Sequence, residues 1–135
     1  MFTKFFEHKS FLHTVLRLNA VFCGVFGLIF LFFPNATASY FGIPSTLAIT
    51  ITGILLIGWE IFVSITAARS PVSPATAAVI IAGDVAWVLG TIALLMGSWL
   101  PLTLAGKWSL AIIGDIVLLF AITQFVGLRK QQKTA

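Results

Sequence analysis

Charge is what this sequence uses least. Of 135 residues, 9% are charged, as eight Lys or Arg and four Asp or Glu, whereas a soluble domain carries about 25%. Such a chain cannot clothe a water-facing surface. One cysteine, Cys23, excludes an internal disulfide and any paired-thiol redox centre. The two histidines, His8 and His13, stand within one short stretch, so facing helices of one protomer cannot share them as metal or haem ligands. No metal and no cofactor is expected.

What fills the chain instead is apolar: 59% hydrophobic residues and a mean hydropathy of +1.08. They fall into four blocks, at 11–33, 47–68, 75–97 and 108–128. Each is close to the ~20 residues that a helix rising about 1.5 Å per residue needs to cross about 30 Å of hydrocarbon. Breakers separate them: Pro34, Gly42 and Pro44, then Pro71 and Pro74, then Pro101 and Gly106. Tyr40, Trp99 and Trp108 stand near block ends, where interfacial aromatics belong. The expected fold is all-α, a polytopic membrane four-helix bundle forming a single unit over residues 1–135.

The basic residues orient it. Lys4, Lys9, Arg69, Arg129, Lys130 and Lys133 flank one side of these blocks and Lys107 alone the other, which predicts cytoplasmic N and C termini. The net charge of +4 is thus topology signal and attraction to anionic lipid, with no nucleic-acid motif to give it another meaning. Residues 1–10 place Phe2, Phe5 and Phe6 opposite Lys4, Glu7 and Lys9, a short amphipathic segment suited to the inner interface.

Four ionisable residues interrupt the spans. At about 1.5 Å per residue, Arg17, Glu60 and Asp84 lie roughly 9, 12 and 14 Å from the cytoplasmic edge and Asp115 about 20 Å. Small and polar residues share their helical stripes: Gly24 and Gly27 with Arg17, Gly53 and Ser64 with Glu60, Ala77 and Thr91 with Asp84. Membrane helices pack through such stripes because close backbone approach replaces a hydrophobic drive. A clasp of Arg17 with Glu60 and Asp84 is therefore expected. Three acids then face one base, and Asp115 is the carboxyl left to water or a cation. Trp87, one turn from Asp84, sets an aromatic face beside a carboxylate, an arrangement that suits an organic cation.

Catalysis finds no support. Asp84 and Asp115 follow Gly83 and Gly114, but the GxGD pattern of intramembrane aspartyl proteases would need glycine where Ile81 and Ile112 stand. In "GDVAWVLG" and the terminal "QFVGLRK" the chain resembles small four-span bacterial membrane proteins of unassigned function, which implies the fold and topology without an activity. Four short spans, a membrane glutamate and nearby tryptophans are also similar in size and ingredients to the small multidrug-resistance exporters. Those carry their glutamate in the first helix, where this chain has Arg17, so no site is transferred. The reading is a non-catalytic bundle or accessory component of the bacterial inner membrane, held by an Arg/Glu/Asp polar layer. Its partners would be the bilayer and a membrane protein or a second copy. The alternative is proton-coupled transport of small or lipophilic cations.

Overall fold

The computed structural model describes residues 9–134, and all the regular secondary structure there is α-helical. In chain order the helices are α1 (Lys9–Phe32), α2 (Pro34–Phe41), α3 (Thr46–Ala67), α4 (Pro74–Met96) and α5 (Leu104–Thr134). Four of them, α1, α3, α4 and α5, are long and apolar enough to cross a membrane. Only 17–39% of the residues in their apolar stretches are buried, so most of their side chains are at least partly exposed, as lipid tolerates at this hydropathy. The protein is a small multi-pass integral membrane protein. The interfacial segment expected over residues 1–10 lies outside the described residues, except for the backbone of Lys9 and Ser10 in α1.

The boundaries follow local chemistry. Proline opens α2 and α4 at their first turns, where its missing N–H costs nothing. Ser45 and Ser73 cap α3 and α4 by accepting from the backbone N–H of Ala48 at 3.1 Å and Thr76 at 3.5 Å. The fourth span starts at Leu104, earlier than the expected 108, because Thr103 caps it: its hydroxyl accepts from Gly106 N–H at 2.9 Å. The break after the first span folds into α2, which ends at Gly42 with φ +78°. That left-handed turn, with Pro101 carbonyl where a side chain would begin, leaves room only for glycine.

The four spans run up and down as two antiparallel pairs. Helix α1 packs closely on α3, α4 packs on α5, and α1 joins the pairs by packing on α5. Glycine sets the α1–α3 distance: a Cβ on Gly53 would lie 3.1 Å from the Gly27 carbonyl oxygen and 3.0 Å from Phe30 Cβ. Consecutive α3 and α4 touch only weakly. At one end Leu12, Leu16, Val63, Val72 and Ile80 form an apolar core. There Gln131 holds the α3–α4 loop by accepting from Val72 N–H at 3.0 Å and donating to its carbonyl at 2.8 Å. At the other end Phe30, Ala38, Phe41 and Ile49 form a second core. Tyr40 and Ser109 share a 2.6 Å hydrogen bond beside it.

Candidate functional site

Between the two apolar cores lies a polar triangle. Asn19 on α1, Asp84 on α4 and Gln124 on α5 are all buried, at 1%, 4% and 0% exposure. Asn19 Nδ2 donates to Asp84 Oδ2 at 2.9 Å and to Gln124 Oε1 at 2.8 Å, and Gln124 Nε2 donates to the same Asp84 oxygen at 2.8 Å. One turn along α1, the Cys23 thiol donates to Asn19 Oδ1 at 3.4 Å. A charge near a helix centre costs about 2.5–3.5 kcal/mol on insertion scales unless it is paired or hydrated. Two amide donors on one oxygen offset part of that, and charge-assisted bonds are the strong kind.

Helical spacing builds this triangle. Leu12, Leu16, Asn19 and Cys23 recur at four, three and four residues and are all buried; so do Val117, Ala121, Gln124, Leu128 and Gln131. The two amides sit in the middle of otherwise apolar seams.

Both bonds to Asp84 end on Oδ2. Asp84 also lines a cleft of about 740 Å³ between α3 and α4, and its Oδ1, with no hydrogen-bond partner, is not among the buried unsatisfied atoms. That oxygen therefore keeps some accessible surface, and the cleft is the open space that Asp84 lines. The cleft's width comes from α4, whose side toward it carries Ala86, Gly90 and Ala93 at four- and three-residue spacing. Opposite stand Thr52, Leu55, Leu56 and Trp59 of α3, with Phe26 and Phe30 of α1 as the back wall. Leu55, Ala86, Gly90 and Ala93 are exposed, so the cleft opens sideways toward lipid. The Trp59 ring closes it at one end by lying over Gly83, 2.5 Å from where a Cβ would be.

The five residues singled out from the sequence do not gather in one place. Asp84 is the triangle's acceptor. Trp87 lines the same cleft, and its indole Nε1 is the one buried side-chain polar atom without an acceptor among the described residues. Glu60 is half-buried against Gly24, with the Ser64 hydroxyl donating to its carboxylate at 2.9 Å. Arg17 and Asp115 are both exposed on the outside of the bundle.

The expected clasp is therefore corrected. Arg17 makes no ion pair with Glu60 or Asp84 among the described residues. Two residues along a helix are about 200° apart, so burying Asn19 toward α4 and α5 turns Arg17 outward, where its long stem can carry the guanidinium to the headgroups. Neutral amides take the partner role given to arginine. Asn19 and Gln124 escaped a search keyed to charge, although the apolar seams on either side of them were in plain sequence.

The arrangement offers one acceptor oxygen, aromatic and aliphatic walls and a side entrance from the bilayer. Among the described residues no group of three His, Cys, Asp or Glu could hold a metal ion. No protein-family model, curated protein or solved structure matches the chain.

Proposed function

We propose that the protein is a non-catalytic membrane component that admits a lipophilic molecule from the bilayer into the cleft between α3 and α4 and holds its polar group on Asp84. The observation that carries this reading is the division of labour within one carboxylate: Oδ2 is fixed by Asn19 and Gln124, while Oδ1 has no hydrogen-bond partner among the described residues, on a side chain that lines an apolar cleft. An apolar pocket with a single placed polar group fixes orientation through that group.

The ligand's polar end is a hydrogen-bond donor, because Asp84 can only accept when ionised. No Lys or Arg among the described residues lines the cleft, which favours an amine or another cationic head. The same observation supports a second reading, transport of a lipophilic cation in exchange for a proton at Asp84. The uneven basic residues support cytoplasmic termini in a bacterial inner membrane.

The test is titration of the protein in nanodiscs with a spin-labelled long-chain amine and its matched alcohol, read by quenching of tryptophan fluorescence. Wild type should saturate with the amine at roughly tenfold lower concentration than with the alcohol, the size of one charge-assisted hydrogen bond. Asp84→Asn should erase that difference. Quenching that rises linearly with both probes, as in bare lipid, would contradict the reading. Proton release on amine binding, absent in Asp84→Asn, would select the exchange mechanism over simple binding.

A further inference from the structure

The lipid-facing side of α5 carries its own anomaly. Trp108, Ile112, Asp115, Leu119, Ile122 and Val126 follow one another at alternating spacings of four and three residues, and every one is exposed. Such spacing is the seam by which two helices interlock at a shallow crossing angle. Exposed Ile and Leu on a membrane helix need no partner, since lipid suits them as well as protein does. Asp115 does. It lies seven residues from Trp108, about 10 Å into the hydrocarbon, and its side chain is too short to reach the headgroups as Arg17 can. It makes no hydrogen bond or ion pair among the described residues.

We infer that this seam joins two copies of the chain, with Asp115 of one meeting Asp115 of the other. Copies inserted with the same topology are related by a twofold axis along the membrane normal, and rotation about that axis leaves depth unchanged. Asp115 therefore meets its own counterpart at its own level, whereas Arg17 of a second copy cannot. Arg17 is two residues from Asn19, and Asp115 is nine residues from Gln124 toward the opposite end. Asn19 and Gln124 are at one level, so roughly 16 Å of depth separates Arg17 from Asp115. Two carboxyl groups that share one proton complement each other: the protonated one donates and the other accepts. In lipid, where no water competes, such a polar contact holds helices together. The cleft between α3 and α4 does not take part, so the pairing is independent of any ligand there.

The experiment reconstitutes the chain, labelled with one fluorophore at its C-terminus, into liposomes at falling protein-to-lipid ratio and counts subunits by photobleaching. Wild type should dimerise, Asp115→Asn should dimerise as well because the amide keeps a donor and an acceptor, and Asp115→Leu should need roughly tenfold more protein per lipid to do so. The residue is exposed, so Asp115→Leu should retain the wild-type melting temperature and its loss of pairing cannot be put down to misfolding. In a Cys23→Ser background, Leu119→Cys should oxidise to a linked dimer while Val79→Cys, also exposed but on α4, should not. A monomer at every ratio, unchanged pairing in Asp115→Leu, or linkage through position 79 instead of 119 would each overturn the inference.

Discussion

Gln124 and Asn19 meet Asp84 on the same oxygen, from two different helices, at 2.8 and 2.9 Å. Because Asn19 also donates to Gln124, the three side chains form a closed set in which removing one member weakens both others. Gln124→Leu and Asn19→Leu should each lower stability in detergent by about 1–2 kcal/mol, the range for interhelical hydrogen bonds in membranes and for donors to a charged group. The double variant should lose less than the sum, since after the first change the remaining amide has already lost one contact. Thermal unfolding of the four proteins checks this. Additivity within about 0.3 kcal/mol would mean that the three groups do not act together.

Arg17 should be nearly silent in the same assay. Its guanidinium is outside the bundle and stabilises no buried carboxylate, so Arg17→Gln should change stability by no more than about 0.5 kcal/mol. Combined with Asp84→Asn it should add without coupling. A rescue of either variant by the other would restore the pairing that the sequence alone suggests.

The α1–α3 contact depends on bare backbone. A side chain at Gly27 would begin 2.8 Å from Ile57 Cδ1 and 3.2 Å from the Gly53 carbonyl oxygen, so Gly27→Val should force the helices apart and cost about 1–3 kcal/mol. Gly58, on the same helix as Gly53, has nothing within 4 Å of its would-be Cβ. Gly58→Ala should be neutral or slightly stabilising, because alanine restricts the unfolded chain. Loss of stability at position 58 equal to that at 27 would mean that the space around a glycine does not decide the cost, and would contradict the close-approach account.

The number of spans, their approximate limits and the small-residue contact between the first two were legible because hydropathy and glycine spacing report directly on lipid and backbone approach. Gly27 and Gly53 do face each other. The stripe that joined Arg17 to Gly24 and Gly27 was only partly informative: Gly27 meets α3, whereas Arg17 is exposed. A helix offers several faces with small or polar residues, and sequence spacing cannot say which face meets a neighbour. Long basic side chains add a second ambiguity, since Arg17 can leave the hydrocarbon without leaving its helix. The weak contact between α3 and α4 was not legible, because chain neighbours ordinarily pack and it is the packing of α1 and α5 that holds these two apart.

The cleft is where function is assigned, and Gly90 gives a way to fill it without disturbing its walls. Gly90 lines the cleft, and nothing lies within 4 Å of where its side chain would begin. The decisive comparison is amine binding to wild type and Gly90→Phe in nanodiscs, with melting temperature measured on the same samples. The phenyl ring should occupy the space beside Asp84, leave stability within about 0.5 kcal/mol of wild type, and weaken saturable amine binding tenfold or more while Asp84 itself is intact. Undiminished binding in a stably folded Gly90→Phe would place the amine elsewhere and contradict the assignment of the cleft as the binding site.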